Sequence, residues 1–253
     1  MQPDLLSAFN EYFEQVHANT DALRSQVFQL RYQIYVLETG FESAQGCETR
    51  TDEMGRTTHW EVDEFDDRSD HYLLRHRRTG IYAATTRLVL PKRGQVDASY
   101  PIELHCKLDE RVEDVALRAH LGEISRFAVS KVFKRRLGEA GSVAGVAPEI
   151  EAYFAEHERR VLPHISLGLF AAIIRMAHCH TVSHCYAVME PALVRLLDRF
   201  GVVFRRIGPN VDYHGLRVPC ITTAGESLPR IKLTAPQVWD LITNRGELLK
   251  NAA

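Results

Sequence analysis

Near the N-terminus, apolar residues recur at steps of three and four. Leu5, Phe9, Tyr12, Phe13 and Val16 line one face of a helix that Asp4 can cap. Leu23, Val27, Leu30 and Ile34 line a second, opened by Thr20 or Asp21. The period then dissolves. Gly40–Thr58 is polar and acidic and reads as a long mobile loop, a type that is usually functional or disordered. His71–His76 and Ile81–Leu90 are rich in strand formers, Arg77–Gly80 between them is a hairpin signal, and Pro91 is a stop.

The pattern next predicts a helix over about Cys106–His120 and a central strand over Gly122–Ser130 (GEISRFAVS). Gly138–Ala147 reads as a surface loop. Helices follow at Pro148–Arg160 and His164–Cys179, then a strand at Val182–Met189 and a helix from Pro191 to Phe200. Short strands at Val202–Ile207 and Leu216–Thr222 precede a last helix, capped by Thr234, with Val238, Leu241, Ile242 and Leu249 as its stripe. Helices alternating with strands, plus one hairpin, give an α/β sandwich around a mixed sheet. No internal repeat is visible.

The length of 253 residues suits one domain with appended elements. We read a single domain over 1–253, with a helical arm (1–37), the loop (40–58) and a C-terminal helix (234–249). Lys+Arg 31 against Asp+Glu 33 leaves no global field to favour nucleic acid. Local charge is sharper: nine acids stand against three bases between Phe41 and Arg68, and Lys131–Arg136 holds four bases in six positions. The longest apolar run, Ile165–Ile174, is too short to span a bilayer, and Met1–Thr20 lacks the form of a signal sequence. A cytoplasmic protein without a transmembrane segment is expected, any membrane contact being peripheral, through a lipid product. Five cysteines without regular spacing point to reduced thiols.

Three polar clusters lie on or beside expected strands: Glu61-Val-Asp63-Glu-Phe-Asp66, Arg87-Leu-Val-Leu-Pro91 and Glu123-Ile-Ser125-Arg126-Phe127. Along a strand Glu123 and Ser125 share a face, and Arg126 takes the other. Charges in an apolar framework need partners. The simplest arrangement pairs Arg24, Arg87 and Arg126 with Asp63, Asp66 and Glu123, which serves either a structural network or a site.

In order along the chain, Arg24-x-x-x-Phe28-x-x-Arg31, Glu61-x-Asp63-x-Phe65-Asp66, Arg87-Leu-x-x-Pro91 and Glu123-x-Ser125-Arg126-Phe127 resemble the acyl-homoserine-lactone (autoinducer) synthases. A closer resemblance is to the acyltransferases associated with exosortase/PEP-CTERM systems, relatives of the N-acyl amino acid synthases. It is carried by Leu30-Arg-Tyr-Gln-Ile-Tyr35, Ser69-Asp-His71, Glu123–Lys131, Met189-Glu-Pro191, Arg195-Leu-Leu197 and Gly208-Pro209-x-Val211-Asp-Tyr-His-Gly215. It implies an acetyltransferase-like (GNAT) fold, an acyl group delivered on the phosphopantetheine of acyl carrier protein, an amino-acid or other small amine acceptor, and no bound cofactor or metal. It also implies substrate-binding roles for Arg24, Phe28, Asp63, Asp66, Arg87, Ser125, Arg126 and Phe127.

Three departures shape the expectation. Ile34 stands where the lactone synthases usually carry a tryptophan that helps build their S-adenosylmethionine pocket, and Gly40–Thr58 is longer than their loop; both favour an amino-acid acceptor. After the central strand, Lys131-Val-Phe-Lys134-Arg135-Arg136 replaces the Gly-rich pyrophosphate loop of acetyl-CoA-dependent enzymes. This basic cluster suits an acidic carrier protein, or is a solvated turn. Leu197 stands where many acetyltransferases place a tyrosine acid.

Glu123 is the candidate general base for an attacking ammonium, and backbone N–H groups near Phe127–Val129 are candidates for the oxyanion. Leu167, Phe170, Ile173 and Ile174 could line an acyl tunnel or be ordinary core. His178-Cys179-His180 and His184-Cys185 resemble a metal cluster, but a helix end and a strand start would separate them. Asp212–Gly215 is a turn or part of the acceptor pocket. The competing readings are a lactone synthase using S-adenosylmethionine and a non-catalytic carrier-protein or lipid-binding module.

Overall fold

The computed structural model describes residues 4–134, 164–213 and 215–250. The segments read as Gly138–Ala147 and Pro148–Arg160, as well as Arg135, Arg136 and His214, lie outside these residues. The chain divides into two compact units. The first comprises Met1–Val62, His71–Thr85 and Phe127–Leu169; the second comprises Asp63–Asp70, Thr86–Arg126 and Phe170–Ala253.

The elements run in order as α1 (Leu5–Tyr12), β1 (Phe13–His17), α2 (Asp21–Tyr32), β2 (Glu48–Thr51), β3 (Thr57–Trp60), β4 (Ser69–His76) and β5 (Tyr82–Val89). Next come α3 (Pro101–His105), α4 (Val115–Arg118), β6 (Leu121–Val129), α5 (Lys131–Lys134), α6 (Ile165–Cys179), β7 (His184–Met189) and α7 (Pro191–Arg199). The C-terminal part adds β8 (Arg205–Arg206), β9 (Val211–Asp212), β10 (Leu216–Thr223), α8 (Ala224–Thr234) and α9 (Pro236–Thr243). This is the mixed α/β class that the sequence predicts.

In the first unit the caps behave as expected: Asp4 accepts from Ser7 N at 3.1 Å and Thr20 from Leu23 N at 3.3 Å. The first helix is shorter than its periodicity implies. Phe13 and Val16 belong to β1, which pairs antiparallel with β4 from Phe13–His76 to His17–Tyr72, and a sheet edge outweighs a local helical pattern. In this unit the strand order is β1-β4-β5. Gly168 accepts a bond from Gln15 Nε2 at 2.8 Å, and a Cβ there would meet the Phe9 ring at 2.2 Å, so no larger residue fits.

The loop expected at Gly40–Thr58 is instead mostly a hairpin of β2 and β3, registered from Glu48–Trp60 to Thr51–Thr57. Asp52 Oδ1 accepts from Met54 N and Arg56 N, both at 2.9 Å, to build its turn. Arg50 lies 3.7 Å over the Trp60 ring. Both faces of β2 are exposed, so no apolar alternation marks the strand.

The second unit carries β5-β6-β7-β10-β8. β6 and β7 run parallel, in register from Leu121–His184 to Ile124–Ala187, and β7 pairs antiparallel with β10. Its core joins Phe65, Val89, Tyr100, Ile102, Leu121, Tyr186, Ile207 and Ile221. The helix expected over Cys106–His120 does not form. Only α4 is helical there, while the segment between α3 and α4 bonds elsewhere: Asp109 N donates to Ile207 O and Val112 N to the Tyr186 hydroxyl. Thr234 closes α8 rather than capping the last helix, whose N-cap is Ala235. Pro229 inside α8 disguises that helix in the sequence. The strand expected at Val202–Ile207 contracts to Arg205–Arg206.

Candidate active site

Three elements of the second unit converge on one strand. β6 runs through the core, and Gly122 lets β5 approach: a Cβ there would lie 2.9 Å from Leu88 Cδ1 and 3.2 Å from the Val89 carbonyl. Four residues on, Arg126 adopts φ +49°, the left-handed region that side chains other than glycine avoid. Strict alternation would turn Arg126 away from Ser125. The left-handed backbone defeats it, and both side chains reach the same acidic cluster.

Arg87 is the centre of that cluster. It is 1% exposed, and its Nη1 lies 2.5 Å from Asp63 Oδ1 and 2.8 Å from Asp66 Oδ1. Its Nε donates to Ser125 Oγ at 2.9 Å. Asp63 Oδ2 meets Arg126 Nη2 at 3.0 Å, and Asp66 Oδ2 accepts from the Asp63 N–H at 2.8 Å. Two carboxylates and a hydroxyl thus compensate one buried guanidinium, the condition under which burying charge is tolerable. Burial alone would push the Asp63 carboxyl up, but Arg87 and Arg126 outweigh it and hold Asp63 below the usual carboxylate range. The cluster is open on one side: Asp63 and Arg126 keep 24% and 16% side-chain exposure.

Glu123 is treated differently. It is buried, and its Oε2 accepts the Ile102 N–H at 2.9 Å. Burial pushes its carboxyl up to about 8, against the lowering effects of that N–H, Arg87 and Arg126, while Glu103 adds to the rise. A carboxylate with this proton affinity exchanges a proton near neutral pH.

The backing of Glu123 is not apparent in the sequence. Glu103 accepts from Tyr100 N at 3.0 Å across the first turn of α3, and from Arg118 Nη1 at 2.7 Å and Arg111 Nε at 2.8 Å. Burial would raise the Glu103 carboxyl, yet Arg118 and the Tyr100 N–H hold it low. Arg118 also donates to the carbonyls of Val96, Ala98 and Val112. The Tyr100 hydroxyl donates to Leu121 O at 2.5 Å, with Arg68 and Arg118 5.0 and 5.6 Å from its ring centre. The only hint was the string Tyr100-Pro-Ile-Glu103, a helix start with a reach-back acid.

The remaining candidates lie in the first unit. Arg24, half-buried, and Phe28, buried, are on α2. The cation that α2 buries is Arg31, paired with Glu61 at 2.5 Å and lying 5.4 Å from the Phe28 ring centre; nothing in the spacing of Arg31 and Glu61 marks them as partners. Ile34 packs with Val27, Phe28, Leu30, Leu73 and Ala128. Phe127, half-buried on β6, is also in this unit.

Lys131 opens α5, but its N–H donates to Glu38 Oε2 at 2.7 Å and its ammonium to the Glu38 carbonyl. The Ser130 hydroxyl donates to Glu38 Oε1 at 2.7 Å. Glu38 ends a π-helical turn, Gln33–Glu38, that continues α2. The Lys134 side chain lies outside the described residues, with Arg135 and Arg136.

The suspected metal cluster is dispersed. His180 pairs with Asp70 at 2.9 Å, His184 with the Ser183 hydroxyl, and Cys185 is buried with its thiol pushed up to about 12. Among the described residues no group of three His, Cys, Asp or Glu is placed to hold a metal. Leu167, Phe170 and Ile173 are buried and Ile174 is half-buried, with Phe170 edge-on to Phe204. Leu197 is buried on α7. Tyr213 stacks on His105 at 5.3 Å, and Asp212 accepts from Gly215 N at 3.2 Å. No helix among the described residues is long and apolar enough to cross a membrane.

Residues 30–143 match the model of the acetyltransferase (GNAT) domain. No curated protein matches the sequence. Among solved structures, the acyl-homoserine lactone synthase LasI has a TM-score of 0.54 at 15% identity, over 88% of this chain and 96% of that one. BjaI, a CoA-dependent acyl-homoserine lactone synthase solved with SAM and isopentyl-CoA, gives 0.52 at 18% identity, over 92% and 88%. FeeM, an N-acyl amino acid synthase from uncultured soil microbes, gives 0.50 at 13% identity, over 88% and 96%. At such identities the likeness is one of fold, and that fold is GNAT-like.

Proposed function

We propose that this protein is an N-acyltransferase that moves a fatty acyl group from acyl carrier protein to the amine of an amino acid, with Glu123 as general base. The observation that carries the reading is Glu123 itself: a buried carboxylate, pushed up to about 8, beside a cluster whose other acids are ion-paired. An acceptor ammonium gives a proton to Glu123, and the free amine attacks the thioester carbonyl. The tetrahedral intermediate expels the phosphopantetheine thiolate, which takes up the second proton from the acceptor nitrogen, and Glu123 returns the first to solvent, so the products are an amide and free carrier protein. The half-open Asp63–Arg126 edge suits a zwitterion, Asp63 facing its ammonium and Arg126 its carboxylate. Arg24, Phe28 and Phe127, on the first unit, are substrate-binding candidates by the resemblance alone.

A donor without a pyrophosphate is supported by α5, whose first N–H already serves Glu38. Lys134, Arg135 and Arg136 would meet the acidic carrier. The setting implied by the resemblance to exosortase-associated acyltransferases belongs to the same proposal.

A lactone synthase using S-adenosylmethionine is the second reading, favoured by the fold shared with LasI and BjaI. Ile34, packed into the α2 core, weighs against it.

The test is mass spectrometry of purified protein incubated with acyl carrier proteins of several chain lengths and a mixture of amino acids. N-acyl amino acids are expected with the carrier donor and without S-adenosylmethionine. Products that need S-adenosylmethionine would establish the second reading, and carrier binding without any product would make the protein a binding module.

A further inference from the structure

We propose that the Arg118–Glu103 pair is a positioning element for Glu123, fixing the start of α3 so that the Ile102 N–H stays on the Glu123 carboxylate while a fixed negative charge stands beside it. The proposal rests on the reading of Glu123 as the base.

Ile102 and Glu103 are adjacent, and Glu103 closes the first turn of α3 by accepting from Tyr100 N at 3.0 Å. Anything that moves Glu103 moves the Ile102 N–H. Arg118 grips both Glu103 oxygens, at 2.7 and 3.2 Å. The same guanidinium binds Val96 O, Ala98 O and Val112 O, tying the strands of chain before and after α3 to one point. Arg118 is 3% exposed, so this hub is sheltered from water and from salt. The Tyr100 hydroxyl fastens the same turn to β6 at Leu121, two residues before Glu123.

Such an arrangement is more than a helix needs. A turn of five residues far from any charge would be served by a cap alone, whereas this one commits a buried ion pair. The groups that act on Glu123 are the Ile102 N–H and Glu103 from α3, Arg87 from β5 and Arg126 from β6. Arg68, Tyr100 and Cys106 feel its charge in turn. Of these, the Ile102 N–H lowers the proton affinity of Glu123 and Glu103 raises it. The pair therefore holds two opposing influences in a fixed ratio, and its two halves should be separable by mutation.

Removing Arg118 loosens the Ile102 bond and leaves Glu103 with only the more exposed Arg111 as counter-charge among the described residues; both effects disfavour the ionised form of Glu123. Arg118→Met should raise its midpoint by about one unit, giving about a tenfold lower kcat/KM at pH 7 that converges on the parent above pH 9. Glu103→Gln keeps an acceptor for Tyr100 N and Arg118 but removes the negative charge, so the midpoint should fall. Shifts of opposite sign are not what loss of stability produces.

The experiment is a carbon-13 NMR titration of the glutamate carboxyls in the whole protein, with the Ile102 amide proton followed in parallel. In the parent, both signals should report one midpoint near 8. Arg118→Met should move it up and Glu103→Gln down, with the Ile102 signal no longer following Glu123 in Arg118→Met. If Arg118→Met does not fold, Arg118→Lys replaces it, keeping the charge but not the carbonyl bonds, and a smaller upward shift is expected. Midpoints that stay with the parent in folded variants, or that move the same way in both, overturn the proposal. Turnover of Glu123→Gln separates the two levels: parental activity there removes the base reading whatever the titration shows, whereas lost activity with an unresponsive midpoint removes only the positioning role.

Discussion

Two charged regions share β6, and they are built on opposite lines. Around Arg87 every charge has an answer: Asp63 and Asp66 share its Nη1, Ser125 takes its Nε, and Arg126 returns to Asp63. Around Glu123 the bond among the described residues is a backbone N–H, that of Ile102. The first region holds Asp63 ionised: Arg87 and Arg126 outweigh its burial and keep its carboxyl below the usual range. The second raises a carboxyl to about 8. Complete compensation makes framework, and incomplete compensation leaves a group free to trade protons.

Breaking the compensated region should give the largest effect. Arg87→Ala leaves Asp63 and Asp66 without their shared cation and should lower the unfolding free energy by about 3–5 kcal/mol. Urea denaturation measures it, and a variant that unfolds like the parent would show that the cluster is not a buried network.

The other region predicts a pH effect of the opposite kind. A carboxyl whose folded pKa lies above its unfolded one binds an extra proton when folded, so parental stability falls as pH rises from about 4.5 towards 8. Glu123→Gln lacks this loss. It should gain on the parent by a few kcal/mol between pH 5 and pH 8.5, read from paired melting curves; a constant difference would contradict the raised carboxyl.

Arg126 tests the border between the regions. Its φ of +49° suits glycine, so Arg126→Gly should be more stable than Arg126→Ala by about 1 kcal/mol, although both lose the Asp63 pair. Equal stabilities would mean that the backbone there is not held left-handed. The smallest change in stability, and a kinetic one instead, is expected from reversing Lys134, Arg135 and Arg136 to Glu. KM for acyl carrier protein should rise and its salt dependence flatten, because charge-driven approach in water is screened over a Debye length of about 8 Å. Unchanged KM would return this segment to a solvated turn.

The difference between the two regions also governs what the sequence reveals. Arg87, Asp63, Asp66, Ser125 and Arg126 are charged or polar residues on strand-like stretches, and such residues must find one another. Glu123 was legible for the same reason. Its support was not: Arg118 falls in the Cys106–His120 segment, whose periodicity imitates one long helix, and Glu103 lies just before it; bonds such as Asp109 N to Ile207 O leave only α4 helical there. The hairpin of β2 and β3 has no clear signature because β2 is exposed on both faces and shows no alternation. Val16 misled in the other direction, its helical spacing overridden by pairing with Leu73. Capping residues such as Asp4 and Thr20 were readable because they act over three residues.

The central claim is that Glu123 accepts the proton of the attacking amine, and the most direct measurement is the pH–rate profile of Glu123→Gln beside the parent, with acyl carrier protein saturating. The parent should gain kcat/KM through a midpoint near 8. The variant should bind carrier protein as the parent does, run about 10²–10⁴-fold slower at neutral pH, and recover part of that loss as higher pH supplies free amine. A folded Glu123→Gln protein with parental turnover at pH 7 would contradict the account.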